Sequence, residues 1–175
     1  MIHVVGSGLA GSLLALELAG RGLAVTLIDQ GQANTATALS YGLLQPNAAA
    51  AWRQLQRNHG PLGLQRRWLQ LSQTGLPLPA AQVDPQRFGP LVTAALQRAG
   101  VQRYSQRLQG PSELKGLQTQ GPVVLACGSG CRPLAPHLDR RLRCSWAGIL
   151  ELTEPQLAPA RCRWPGIALL PERFS

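Results

Sequence analysis

The stretch VVGSGLAG, Val4 to Gly11, follows three residues after the chain's start and decides how the rest is read. Ile2 to Val5 form a short apolar run with the signature of a buried strand. Leu9 to Gly20 then carry apolar residues at helical spacing, with Leu9, Leu13 and Leu16 on one face and Leu14 and Leu18 beside it. Gly20 and Gly22 end that helix. LAVTLID, Leu23 to Asp29, reads as a second buried strand. Strand, tight turn, helix and strand within about thirty residues make a βαβ unit, whose crossover forces the two strands parallel.

Within that unit the spacing Gly6-x-Gly8-x-x-Gly11 sits between strand and helix, the context that a dinucleotide fingerprint requires. Gly6 permits the tight turn, Gly8 lets the backbone approach a pyrophosphate, and Gly11 lets helix and strand pack closely. The amides and positive dipole end of the helix face the phosphate charge, a dipole contribution of about 0.3–2 kcal/mol. Asp29 ends the second strand eighteen positions after Gly11. A carboxylate there accepts from a ribose diol and repels a 2′-phosphate, which disfavours NADP and leaves NAD and the adenosine half of FAD open.

Further along, TATALSYGLLQPNAA reads as a loop across the mouth of the sheet. From Ala48 to Leu71 the pattern is helical, broken at Gly60-Pro61, with Trp52, Leu55, Leu64 and Trp68 among its apolar positions and Arg53, Arg57, Arg66 and Arg67 on its surface. TGLPLPAAQ reads as a Pro-rich connector. VDPQRFGPLVTAALQRAGV is a well-marked helix, with Asp84 as cap, Pro85 in the first turn, an apolar stripe through Phe88, Val92 and Leu96, and Gly100 as stop. Val101–Tyr104 and Val123–Ala126 read as further strands. Strand-like pieces, WAGILEL and GIALL, follow in the tail.

The 175 residues suit one compact domain with a small annex. No apolar run reaches the roughly 20 residues of a membrane span, and the start runs straight into a strand, so neither a membrane segment nor a secretory signal is expected and the location is read as cytoplasmic. The net charge is +9, yet the basic residues, all Arg except Lys115, are scattered from Arg21 to Arg173. That distribution argues against a nucleic-acid track. Cys127, Cys131, Cys144 and Cys162 match no zinc spacing and read as thiols without a task, and no metal is expected. His3, His59 and His137 read as packing or surface residues, and no catalytic residue can be assigned.

The ordered motifs resemble the FAD-dependent oxidoreductases of the D-amino acid oxidase and glycine oxidase superfamily. The segments that carry the resemblance are the glycine fingerprint, the strand-ending Asp29, TATALSYGLLQP (Thr35–Pro46), the VDP helix and VVLACGSG. The resemblance implies FAD as cofactor, held by Gly6, Ser7, Gly8, Leu9, Ala10, Gly11, Asp29, Gln30, Ser40, Gly42, Leu43, Ala126 and Gly128. It implies an α/β fold: a Rossmann-like FAD/NAD(P)-binding domain with a mostly parallel sheet, helices on both faces and an incomplete small β-rich annex. The expected division is a dinucleotide-binding domain over 1–142 with a helical insert at 48–72, and a remnant of substrate-domain strands over 143–175. The implied reaction is hydride transfer from the C–N carbon of a small amine or amino acid to flavin. Relatives carry a C-terminal segment that returns to the flavin, and nothing after LLPERFS matches it. The alternative is therefore a shortened flavoprotein that binds nucleotide weakly or not at all and catalyses nothing. One relative, acting on tRNA wobble uridine, has a similar GLLYP-like segment; a tRNA partner rests on that alone.

Overall fold

The computed structural model describes residues 1–31, 35–40, 42–44, 46–71, 77–141 and 167–169. The chain divides into two compact units, 1–39 with 89–147 and 40–88 with 148–175.

In the first unit the opening βαβ forms as the glycine spacing requires. Strand β1 (Ile2–Val5), helix α1 (Leu9–Gly20) and strand β2 (Val25–Asp29) follow one another directly. The strands pair in parallel from Ile2 opposite Val25 to Val5 opposite Ile28. The second strand begins at Val25 rather than Leu23: Leu23 is 45% exposed and Gly22 has a φ of +79°, so the chain is still turning there. The buried face of α1 is Gly11, Ser12, Ala15 and Leu16, not the stripe through Leu9 and Leu13. Small residues on that face let the helix lie close to the sheet, while Leu9 stays exposed at its start.

The other strands of this sheet come from later in the chain, beyond those of the second unit. There, β3 (Leu43–Leu44), α2 (Pro46–His59), β4 (Leu64–Leu71) and β5 (Pro77–Val83) are followed by α3 (Pro85–Arg98). Beyond α3, β6 (Gln102–Ser105), α4 (Pro111–Gln118) and β7 (Val123–Leu125) complete the first unit, with a short α5 (Cys131–Leu134) after them. The parallel sheet runs in the order β6-β2-β1-β7. Val5 packs with Leu108, Leu114 and Leu134 on one face, and α1 packs on β1 and β2. This is the parallel α/β sheet flanked by helices that the sequence implies. The polar stretch between β6 and β7 contains α4.

The second unit holds a small antiparallel sheet in the order β3-β5-β4-β8, where β8 is Ile167–Leu169. Three expectations are corrected here. The helix over 48–71 ends at His59, and its second half is strand β4. Gly60 and Gly63 have φ of +88° and +83° and reverse the chain, and the Gln56 side chain accepts from the Leu62 and Leu64 amides at 2.9 and 3.1 Å. The Pro-rich connector is strand β5, paired with β4 from Leu64 opposite Val83 to Gln70 opposite Pro77. The Val83 amide donates to Gly42, on the β3 side, and Pro79 and Pro77 share its parity. They lie beyond the pairs that β3 makes with Ala81 and Gln82, so among the described residues their missing N–H groups interrupt no ladder. The loop at 35–46 contains β3. WAGILEL lies outside the described residues, whereas GIALL supplies β8, paired with β4.

Candidate functional site

The three glycines of the fingerprint are glycines for different reasons. Gly6 has a φ of +106°, and a Cβ there would lie 2.6 Å from the Cys127 Cα. The end of β7 crosses it, pinned by the Ala126 amide donating to Val5 O at 2.8 Å. At Gly11 a Cβ would run into the carbonyl of Gly6. Both are demanded by packing. Gly8 has an ordinary φ of −65°, and a Cβ would meet only the Thr37 hydroxyl, at 3.3 Å. Nothing in the backbone of the fold requires a glycine at that position.

Gly8 caps α1 without a side chain, and the Leu9 amide donates instead to Thr37 Oγ1 at 3.0 Å. An oxygen acceptor thus already sits over an amide of the first turn. Asp29 braces the turn from the neighbouring strand: its Oδ1 accepts from the Ser7 amide at 3.1 Å and its Oδ2 from the Gly31 amide at 2.9 Å. Burial alone raises the Asp29 carboxyl, but the backbone N–H groups of Gly31 and Ser7 outweigh it and hold the group below its ordinary value. It is an anion at neutral pH, and each oxygen keeps lone-pair capacity for another donor.

Around this turn lies a cleft of about 450 Å³, at the carboxyl ends of β1, β2 and β7. Strand order reverses beside β1, so this is the switch-point crevice in which open α/β sheets bind ligands. The volume falls within the range of small-molecule sites, roughly 300–1,000 Å³. Of the residues implied by the sequence, Gly6, Gly8, Leu9, Ala10, Asp29, Gln30, Ala126 and Gly128 line it together. Ser7 and Gly11 stand behind it as bracing, with Ser7 O accepting from Ser12 Oγ at 2.9 Å. Ser40, Gly42 and Leu43 belong to the second unit. There Gly42 (φ +63°) is explained by the sheet: its carbonyl accepts from Val83 at 2.8 Å, and a Cβ would strike Val83 O.

Several lining residues went unassigned in the sequence. Thr35 and Thr37 belong to the segment that reads as a loop across the mouth of the sheet, and nothing in its composition singles out either hydroxyl. Arg107 and Gln106 follow β6, and no motif marks them. Cys127, beside the cleft, contacts Cys131 at 3.3 Å between sulfurs, so these two thiols are a pair. Burial first, then the neighbouring Cys131, pushes the Cys127 thiol from 9.0 up to about 12. His3 is buried, as a packing role requires. Among the described residues no group of three or more His, Cys, Asp or Glu could hold a metal, and no helix is long and apolar enough to cross a membrane.

Residues 1–80 match the family of FAD dependent oxidoreductases. Among solved structures, iminodiacetate oxidase from Chelativorans sp. is similar over 77% of this chain, with 14% identity and a TM-score of 0.56. Glycine oxidase from Bacillus cereus is similar over 79%, with 16% identity and a TM-score of 0.55. This chain spans 57% and 58% of those two chains. No curated protein matches it in sequence.

Proposed function

We propose that the cleft holds the adenosine and pyrophosphate portion of FAD, and that the chain is the nucleotide-binding part of an oxidase acting on the C–N bond of a small amino acid or amine. The observation that carries this is Gly8, a glycine that packing does not demand, placed where a ligand backbone approaches the first turn of α1. The family match over residues 1–80 supports FAD over NAD. Gly8 leaves room for the pyrophosphate, and the amides of the first turn, including the one now given to Thr37, turn toward its oxygens. Asp29 accepts from the ribose hydroxyls and, as an anion, disfavours a 2′-phosphate. Ala126 and Gly128 close the opposite wall without bulk. When bound, FAD supplies a two-electron acceptor for hydride from a carbon beside nitrogen.

The names of the two similar structures put glycine and iminodiacetate first among substrates to try. A second reading, nucleotide binding without turnover, is favoured by the lining itself. Among the described residues, Asp29 is its one carboxylate, and both oxygens of that group are already bonded to backbone. Competition tests the grip. ADP displaces FAD from the protein and FMN does not; displacement by FMN but not by ADP overturns the assignment of the cleft to the adenosine half. Peroxide release with glycine or iminodiacetate then separates the oxidase from the non-catalytic binder.

A further inference from the structure

One residue lining the cleft, Cys127, has its sulfur in contact with another, that of Cys131. Cys127 lines the cleft, half-buried, and Cys131 lies behind it, buried; both are free thiols with their sulfurs 3.3 Å apart. The connection between them is Gly128-Ser129-Gly130, a single 3-10 turn. Gly128 has a φ of +58° and open space around it, and a Cβ at Gly130 would sit 3.5 Å from the Cys127 Cβ. A disulfide requires the sulfurs at about 2.05 Å, so they must close by little more than an ångström. Rotation about the two Cα–Cβ bonds and a shift in a turn with two glycines supply that movement.

We propose that Cys127 and Cys131 are a reversible redox pair, closing to a disulfide in the wall of the nucleotide cleft and changing that wall when they close. A two-electron oxidant of the peroxide class drives the closure. The sulfur of Cys127, the less buried of the two thiols, attacks a peroxide oxygen; the O–O bond breaks, leaving a sulfenic acid and, after the thiol proton is taken up, water. The Cys131 sulfur attacks the sulfenic sulfur; the S–S bond forms, the S–O bond breaks, and a second water leaves with the remaining thiol proton. Two thiols and one peroxide thus become one disulfide and two waters. A dithiol reductant returns two electrons and two protons. Burial and the neighbouring thiol keep Cys127 protonated at neutral pH, so closure is slow there and speeds up with pH in proportion to the thiolate fraction. The disulfide stands independently of the proposed nucleotide; the effect on the cleft rests on it.

Trypsin gives a clean readout, because Arg132 precedes Pro133 and one peptide, residues 116–140, holds both cysteines and no others. The full chain is treated with hydrogen peroxide at mildly alkaline pH, alkylated with iodoacetamide and digested. The expected peptide is two hydrogens lighter and resists alkylation until dithiothreitol is added. A peptide still alkylated on both cysteines, carrying sulfinic oxygens, or cross-linked to the peptides of Cys144 or Cys162, overturns the pair. In the same samples FAD affinity is expected to differ severalfold between oxidised and reduced protein, and to be indifferent to peroxide in Cys127→Ser. A disulfide that leaves FAD affinity unchanged overturns the coupling to the cleft. If neither form binds FAD, the nucleotide reading fails while the disulfide result stands.

Discussion

Gly6, Gly8 and Gly11 look alike in the sequence, and substitution by alanine separates them. Gly11→Ala drives a Cβ into the Gly6 carbonyl and Gly6→Ala adds a strained φ, so each is expected to cost about 3 kcal/mol or more of stability. Gly8→Ala needs only a small shift of the Thr37 side chain, and its urea midpoint should stay close to the parent's. Asp29 gives a pH prediction with a definite sign. Its folded carboxyl sits below the ordinary 3.8, so its contribution to stability is present above that value and fades as pH falls through the lower, folded one. Urea titrations between neutral and acid pH should show this limb, and Asp29→Asn should flatten it. Thr26 offers the opposite case. Its buried hydroxyl faces His3 across β1 and β2, and neither side chain has a hydrogen-bond partner among the described residues. Thr26→Val should therefore stabilise by about 1 kcal/mol; a loss of stability would show that the hydroxyl is satisfied in solution.

At the scale of elements, what was legible followed from strict geometry. The glycine spacing, the parallel βαβ and the helix capped by Asp84 each have a local cause, and Asp84 Oδ1 does accept from the Gln86 and Arg87 amides at 2.9 and 3.2 Å. The second unit is not legible in the sequence because its causes are not local. LQRRWLQL carries no clean alternation, and only pairing with β5 makes it a strand. Prolines at 77 and 79 look like a connector, yet they sit in β5 on the side where, among the described residues, β3 reaches only Ala81 and Gln82. At the site, the turn and Asp29 are readable, whereas Arg107 and Gln106 come from a segment that no motif marks, and the sulfur contact depends on how the turn after β7 folds. Two substitutions test the second unit. Gln56→Ala leaves two amides without their acceptor and should cost about 1–3 kcal/mol. Phe88→Ala removes the ring that meets Trp52 edge-on at 5.9 Å and should cost about 3–5 kcal/mol. Both are measured by urea unfolding.

For the whole molecule, the central claim is that the chain carries a working grip for the adenosine half of FAD, on a fold shared with glycine oxidase and iminodiacetate oxidase. Binding to the folded state alone stabilises it by mass action, about 2.7 kcal/mol at a hundredfold excess over Kd. Thermal shift therefore reports the same event as flavin fluorescence. The most direct measurement is a fluorescence titration of the parent and Gly8→Ala with FAD, each paired with its melting curve. Saturable quenching and a raised Tm are expected for the parent. The variant should fold as well, yet bind about 10- to 100-fold more weakly, the equivalent of about 1–3 kcal/mol. Equal affinity in the two proteins, or no quenching and no thermal shift in the parent, would contradict it.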